Sequence, residues 1–305
     1  MANSSGLNRT GVLSRVTVAA ITAALVGTTT AAVAADAPQE RSATAAVQPS
    51  SNASAFAATT TTDAQVNALY GIDSRGDMYG YPPNGTGGLD ARINSGYGWS
   101  TAKFMTQGDQ NHDGSSDGVW DITAGRLSYT PFGADGFSVG TGWSIYNKVL
   151  SAGNLGGGTA DDMLARDSYG TLWLYLGYGN GKFTSRYKVG GGWGAYNQIA
   201  GKGDLSGDGK DDIVARDSSG TLWLYRGTGN YKAPFGTRTK IGGGWGVYNN
   251  LVSVGDIDID GITDLLARDG SGALYLYKGT ANGNAPFKTR VRIGSSGWNT
   301  YRLMF

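Results

Sequence analysis

Three short segments of the chain carry oxygen-bearing side chains at regularly spaced positions. They run from Asp204 to Asp212, from Asp256 to Asp264 and from Asp109 to Asp117. In each segment the first, third, fifth and ninth residues are Asp, Asn or Ser, and the sixth is Gly. Alternate positions of a tightly turned loop can face one ion, and Gly permits the sharp bend. Ca²⁺ takes six to eight oxygen ligands at about 2.3–2.6 Å, so we predict that all three loops bind calcium.

The seventh residue of each loop is expected to contribute its main-chain carbonyl, so its side chain is free to vary. The predicted metal ligands are Asp109, Asn111, Asp113, Ser115, Asp117, Asp204, Ser206, Asp208, Lys210, Asp212, Asp256, Asp258, Asp260, Ile262 and Asp264.

An EF-hand and a set of solvated acidic hairpins are the alternatives to calcium-binding turns. An EF-hand requires Glu at position 12 and flanking helices, whereas this chain has Trp120, Ala215 and Ala267 there, within strand-like sequence. Solvated hairpins stay open as an alternative, although carboxylates packed this closely repel one another in the absence of a cation.

A fourth segment at the same place in the pattern has lost most of these side chains. Asn154, Gly156 and Gly158 occupy the first, third and fifth positions, and only Asp162 is acidic. We predict no metal ion in this loop.

The loops belong to a repeating unit that ends in Gly-Trp and recurs every 44 to 53 residues. In its clearest copy, apolar runs at 213–216 and 221–225 flank the turn Asp217-Ser218-Ser219-Gly220, which has the composition of a hairpin turn. Both faces of the second run are apolar, as expected for a sheet packed between two neighbours. Five such units predict an all-β fold, a five-bladed β-propeller of four-stranded blades.

The two ends of the repeat region predict how the ring closes. Residues 69–79 match the middle hairpin of the unit, and residues 297–305 match only the strand that opens a blade. Five complete blades therefore require that the C-terminal strand pairs with the N-terminal hairpin, which leaves no isolated sheet edge between the first and last blades.

The first part of the chain has the composition of an export signal and a linker. Arg9 and Arg15 precede a short apolar run at 16–26 and the small residues of Ala32-Val33-Ala34, so residues 1–35 are predicted to be a cleaved signal peptide. Residues 36–62 are rich in Ala, Ser and Thr and are predicted to be disordered, which leaves residues 63–305 for the propeller. We therefore expect a secreted, extracellular protein with no membrane span in its mature chain.

The charge and cysteine content exclude several classes of function. The formal net charge is +1, and the two arginines of the predicted signal are removed with it, so no basic surface for nucleic acid is expected. The chain contains no Cys, so an exported protein of this kind needs a stabilising cross-link other than disulfides. Bound metal could serve in that role.

The aspartate loops and the apolar runs that follow them resemble FG-GAP repeats. These are the calcium-loop propeller repeats of integrin α chains, also known as VCBS repeats in secreted bacterial proteins. The resemblance covers about residues 105–290 and implies calcium on loops between blade strands. The Gly-Trp segments and the five-fold repeat more weakly resemble tachylectin-type five-bladed lectins, whose sugar sites lie between blades.

The repeated tryptophans are candidate stacking platforms for sugar rings, although packing between blades explains them equally well. They are Trp99, Trp143, Trp193, Trp245 and Trp298. Arg166, Arg216 and Arg268 each precede an Asp and are expected to form weak ion pairs at strand ends. Asp121 takes their place in the second blade, which would interrupt any ring of arginines.

No arrangement typical of a catalytic site is present in the sequence. His112 is the only His and lies inside a predicted metal loop, and there is no Cys or Gly-x-Ser-x-Gly nucleophile. We therefore expect a non-catalytic recognition module, monomeric, with an extracellular glycan or a protein as its ligand. The alternative is a structural or protein-interaction module in which calcium only rigidifies the scaffold.

Overall fold

The computed structural model describes residues 64–305 as five antiparallel sheets of four strands arranged in a ring. Blade 1 contains β1 (Leu69–Asp73), β2 (Met78–Tyr81), β3 (Ile93–Gly96) and β20 (Tyr301–Met304). Blade 2 contains β4 (Ala102–Gly108), β5 (Gly118–Thr123), β6 (Arg126–Pro131) and β7 (Phe137–Thr141). Blade 3 contains β8 (Tyr146–Gly153), β9 (Asp162–Asp167), β10 (Leu172–Tyr175) and β11 (Tyr187–Gly190). Blade 4 contains β12 (Tyr196–Ala200), β13 (Ile213–Asp217), β14 (Leu222–Tyr225) and β15 (Thr239–Gly242). Blade 5 contains β16 (Tyr248–Val252), β17 (Leu265–Asp269), β18 (Leu274–Tyr277) and β19 (Val291–Gly294).

The ring closes in the predicted way, because the last strand of the chain joins the first hairpin. β20 pairs antiparallel with β1, with Gly71 opposite Met304 and Ile72 opposite Leu303. The fold class and the closure predicted from the sequence are confirmed. The predicted signal peptide and linker lie outside the described residues. Among residues 64–305 no helix is long and apolar enough to cross a membrane.

In blades 1, 3, 4 and 5, the hairpin between the second and third strands is set by an Asp side chain. In blade 4, Asp217 Oδ1 accepts the N–H groups of Ser219 (3.0 Å) and Thr221 (2.9 Å). Gly220 completes the turn with φ of 80°, a conformation that other residues rarely adopt. The equivalent Asp residues of blades 1, 3 and 5 make the same pair of contacts.

Each Gly-Trp pair directs the chain into the next blade. The Gly before Trp193 has φ of 84°, and Trp193 begins one turn of 3-10 helix that leads into β12. The same turn precedes β8, β16 and β20. We call the side of the disc that carries these turns and the Asp hairpins the turn face, and the opposite side, with the aspartate loops, the loop face.

The core is divided among the blade interfaces rather than collected at one centre. Between blades 3 and 4, for example, Leu164 and Leu174 pack in one cluster with Ile213 and Ala215, all fully buried. Both faces of the middle strands are therefore apolar, as the sequence indicated. Each interface excludes water from its strands and holds two blades together.

Cationic side chains join neighbouring blades at all five junctions. Three arginines on second strands donate to the main-chain carbonyls of the Trp and Tyr that begin the next blade: Arg166, Arg216 and Arg268. Arg302 makes the equivalent contacts from blade 1 to the carbonyls of Trp99 and Ala102. Lys103 Nζ donates to the carbonyl of Tyr146 at 2.7 Å.

This ring corrects two expectations from the sequence. The arginines bind carbonyls of the next blade instead of forming ion pairs with the acids that follow them. Asp121 does not interrupt the ring, because Lys103 reaches the next blade from the inner strand β4.

Candidate functional site

The first Asp of each predicted metal loop closes the turn by accepting main-chain N–H groups. Asp204 accepts them from Ser206, Gly207 and Gly209 at 2.9, 2.7 and 2.6 Å. Asp109 accepts from the same three positions of its loop, and Asp256 accepts from the N–H groups of Ile259, Asp260 and Gly261. The regular spacing of the acids thus has a local structural cause in addition to any ion.

The ninth residue of each loop accepts an N–H group from the second residue of the same loop. Asp212 accepts from Leu205 (3.1 Å) and Asp264 from Ile257 (2.9 Å). Each also accepts an N–H from the end of the hairpin, Gly227 or Gly279, at 2.7 Å. Asp212 and Asp264 therefore fix the loop against the body of the blade.

Two of the three loops gather carboxylate oxygens at distances that suit one ion. Among the described residues, the groups Asp204, Asp208, Asp212 and Asp256, Asp258, Asp260 each have one oxygen per residue within 4.8 Å of the others. Oxygens bound to one Ca²⁺ at about 2.3–2.6 Å lie at most about 5 Å apart. The donor set is made of hard oxygen atoms, so these residues fit calcium.

Burial leaves these carboxylates with poorly compensated charge. Desolvation is the main cause that raises the pKa of Asp212 and Asp264 to about 7 and that of Asp256 to about 6, against the effect of their backbone hydrogen bonds. Neighbouring acids in the same loops raise the pKa further. A divalent cation would supply the missing positive charge.

In the blade 5 loop, a lysine lies beside the acidic group. Lys278 Nζ is 2.7 Å from Asp258 Oδ2, while Asp258 Oδ1 is buried with no hydrogen-bond partner among the described residues. The Oδ1 atom is thus available as a ligand, and the ammonium group of Lys278 neutralises part of the charge. This lysine was not predicted from the sequence, because it follows β18 and is distant from the loop in the chain.

The blade 2 loop differs from the other two. The Nδ2 group of Asn111 faces Asp113 Oδ2 at 3.0 Å and Asp117 Oδ1 at 3.5 Å, and its Oδ1 accepts the N–H of Asp113. The loop thereby presents a donor where an ion needs an acceptor. Its acids also fall outside the two close groups found in the described chain, so calcium in this loop remains a prediction with less geometric support.

The blade 3 loop is held together by its own asparagine. Asn154 Oδ1 accepts N–H groups from Gly157 and Gly158, both at 2.9 Å, and its Nδ2 donates to the Gly158 carbonyl at 2.7 Å. Asp162 is then the only acid among the ligand positions of this loop. The amide side chain thus makes contacts across the loop, and the lack of a metal ion there stays a prediction.

The single His lies on the loop face near the axis of the ring. His112 Nε2 is 3.1 Å from Asn154 Nδ2 and contributes to a depression of about 330 Å³ together with Asp109, Asp204 and Asp211. Its main-chain N–H is held by Asp109 Oδ1 at 2.6 Å. The imidazole therefore points toward the neighbouring blade.

The five repeated tryptophans are all buried, with 4 to 9% of their surface exposed. Trp143, Trp193, Trp245 and Trp298 each lie beside a Tyr ring; Trp193, for example, lies 4.6 Å from the ring of Tyr225. Trp193 also belongs to the buried cluster that contains Leu164 of blade 3 and Ile213 of blade 4, so it packs between two blades. This burial does not support stacking of a sugar on an exposed face of these rings. A role in ligand binding stays a prediction for tryptophans whose ring edge lines a cleft.

One cleft between blades, of about 520 Å³, combines aromatic and polar groups. Trp193, Tyr196, Tyr225, Phe235 and Arg238 contribute to its walls. The hydroxyls of Tyr196 and Tyr225 are 2.6 Å apart, and Arg238 donates to the Tyr196 hydroxyl. The exposed guanidinium also lies over the Trp223 ring, 4.0 Å from its centroid.

Sequence reasoning missed these arginines, although they recur with the period of the repeat. Arg92, Arg186 and Arg290 contact a tyrosine hydroxyl in blades 1, 3 and 5 in the same way. An Arg directly before the outer strand of blades 1, 3, 4 and 5 was the available signal.

Comparisons with known proteins identify solved structures that resemble this chain over about three quarters of its length. Solved structures with a similar fold include the BP39L lectin from Burkholderia pseudomallei, 12% identical, with a TM-score of 0.45 over 78% of this chain and 72% of that one. AofleA from Arthrobotrys oligospora is 9% identical, with a TM-score of 0.45 over 75% and 69% of the two chains. Aleuria aurantia lectin, solved with alpha-methyl-L-fucoside, is 12% identical, with a TM-score of 0.41 over 76% and 79%. No curated protein sequence matches the chain.

A family model covers the sequence from the third to the fifth blade. The model of the FG-GAP-like repeat matches residues 159–215 and 204–267. These segments contain both close acidic groups, in the loops from Asp204 and from Asp256. The chain therefore carries FG-GAP-like repeats in its third, fourth and fifth blades.

Proposed function

We propose that the protein is a secreted β-propeller, stabilised by calcium, that recognises extracellular glycans without catalysing a reaction. The observation that supports glycan recognition is the cleft between blades 3 and 4, where aromatic carbon and fixed hydrogen-bonding groups line one opening. Sites for small ligands commonly combine an apolar wall with a few placed polar groups.

The cleft offers each type of contact that a sugar ring uses. Phe235 and the edge of Trp193 present apolar surface for C–H groups. The tyrosine hydroxyls and the Arg238 guanidinium present donors and acceptors for sugar hydroxyls. Because the guanidinium is held over Trp223 and by Tyr196, its orientation is set before a ligand arrives.

In this proposal calcium stabilises the scaffold and does not contact the sugar. The residues that would hold it are Asp204, Ser206, Asp208 and Asp212 in blade 4 and Asp256, Asp258 and Asp260 in blade 5. These residues lie on the loop face, where they fix the turns between inner and second strands. A bound ion supplies positive charge to buried carboxylates there.

A glycan array tests the proposal directly. The chain from residue 64 to 305 is probed in millimolar calcium, alongside Arg238→Ala and the control Lys240→Ala, an exposed lysine two residues away on β15. We expect saturable binding to one class of sugar, at least tenfold weaker in Arg238→Ala and unchanged in Lys240→Ala. Binding that is equally strong in all three proteins would exclude this cleft.

Protein recognition is the second candidate, because apolar side chains are exposed on the turn face. Tyr169 is 92% exposed, Val247 59%, Tyr97 54% and Ile145 48%, and such groups are enriched where proteins associate. An array with no bound sugar, combined with loss of a protein partner in Tyr169→Ser, would favour this function over the first.

A further inference from the structure

The axis of the ring contains a second cavity, separate from the clefts and from the aspartate loops. It has a volume of about 250 Å³ and is lined by the inner strands of the blades and the end of the chain. A water molecule occupies about 30 Å³ in the liquid, so the cavity has room for a small solute. It opens at the turn face, where Lys103, Asn249 and Arg302 are exposed.

The charged side chains that line this cavity are all cationic. They are Lys103, Lys148, Lys202, Arg268 and Arg302, and no Asp or Glu is among the lining residues of the described chain. Arg268, Arg302 and Lys103 donate to neutral main-chain carbonyls. Their hydrogen bonds are satisfied, but their charges are not neutralised by those partners.

Lys202 is the exception and forms the floor of the cavity. Its ammonium group is paired with Asp161 and also donates to the Gln107 carbonyl at 3.2 Å. Asp161 is completely buried and accepts further hydrogen bonds from Gln65 Nε2 (3.2 Å) and the Asp109 N–H (2.9 Å). This layer separates the cavity from the depression on the loop face, so the cavity ends there.

Lys148 is the cation without a partner. It lies on β8, and its ammonium group has no hydrogen bond or ion pair with any residue between 64 and 305. Burial, assisted by repulsion from Arg166, lowers the pKa of Lys148 to about 8. An anion nearby would restore the stability of the charged form.

We propose that the axial cavity binds a small oxyanion of the size of sulfate, with Lys148 as its direct contact. The surrounding cations Lys103, Arg268 and Arg302 add a favourable potential at the mouth, since no Asp or Glu lines the cavity in the described chain. Amide side chains of Asn249 and Asn250 line the same wall and can donate further hydrogen bonds. The group could be a free inorganic anion or the acidic substituent of a sugar. The inference does not depend on glycan binding in the clefts.

Titration calorimetry with sodium sulfate at constant ionic strength, balanced with chloride, tests this site. We expect saturable binding to the wild-type chain, at least tenfold weaker in Lys148→Met and within twofold of wild type in Lys188→Met. Lys188 is an exposed lysine on β11 that does not line the cavity. Equal affinity in the two variants, or no saturable binding to wild type, would overturn the proposal.

A second set of titrations distinguishes the two sources of the anion. Glucose 6-sulfate and glucose are compared with sulfate, since only the sulfated sugar carries the oxyanion. Tighter binding of glucose 6-sulfate than of sulfate assigns the site to an acidic sugar, and the reverse order assigns it to a free anion.

If Lys148→Met does not fold, wild-type crystals soaked in selenate provide the test. An anomalous peak within hydrogen-bonding distance of Lys148 Nζ supports the site. Peaks confined to the outer surface refute it.

Discussion

Replacing Arg216 with Met should destabilise the ring more than any exposed substitution. Arg216 is 6% exposed and donates to Asn197 Oδ1 at 2.8 Å, to the Trp245 carbonyl at 2.9 Å and to the Tyr248 carbonyl. Met retains the apolar stem that packs between blades but removes all three hydrogen bonds. The carbonyls of Trp245 and Tyr248 then lose the donor that Arg216 supplies, although the Trp245 carbonyl still accepts the Tyr248 N–H.

The expected loss follows from these contacts. A hydrogen bond to a charged group contributes about 1.5–3 kcal/mol, and the three share one side chain, so their effects do not add. Burial lowers the pKa of Arg216, which shows that desolvation of the guanidinium opposes part of the gain. We expect the free energy of unfolding to fall by about 2–4 kcal/mol, which for a domain of this size lowers Tm by about 5–15 °C.

Calorimetry and urea unfolding in excess calcium measure this loss. Lys240→Met, an exposed lysine on the outer strand of the same blade, is the control and should stay within about 0.5 kcal/mol of wild type. Arg216→Lys should be intermediate, because one ammonium group can make the single contact that Lys103 makes at its own junction. If the Tm of Arg216→Met equals that of the wild type, the ring of cations does not hold the blades together.

Three further predictions concern the metal loops and the closure of the ring. Chelation should lower Tm, because each site adds about 2.7 kcal/mol to the free energy of unfolding when calcium is at 100 times its dissociation constant. Asp208→Ala or Asp260→Ala should reproduce part of the drop. Identical melting curves with and without chelator would contradict calcium binding. Burial raises the pKa of Asp162 to about 6 and of Asp212 and Asp264 to about 7, above that of an unfolded Asp, so the folded state binds more protons. In chelator, the free energy of unfolding should therefore be higher at about pH 5 than at about pH 7.5. Urea titrations at several pH values in this range measure the difference, and the opposite trend would contradict the prediction. Deletion of residues 298–305 removes β20 from blade 1 and should cause a large loss of Tm, whereas a truncated chain that melts like the full one would show that closure is unimportant.

The architecture could be predicted from the sequence because most of the blades repeat the same pattern of turn and strand residues. Hairpin turns fixed by an Asp and a Gly, alternating apolar strands and Gly-Trp turns all act over a few residues. The composition of the two ends, a hairpin at residues 69–79 and a lone strand after Trp298, was enough to predict the closure. The acidic loops were likewise recognisable, since their spacing is local, and calcium binding by them stays a prediction.

Contacts between blades depend on the tertiary structure, because they join residues about 30 to 200 positions apart. Arg216 reaches the Tyr248 carbonyl and Arg302 reaches Ala102 only when the ring is formed. The sequence could not show that Lys278 lies beside Asp258, or that the amide of Asn111 faces its neighbouring acids. It also could not show that five inner strands bring cations together around one axial cavity. Local sequence determines which turns and strands form, whereas charge and hydrogen bonding across the ring depend on distances that only packing sets.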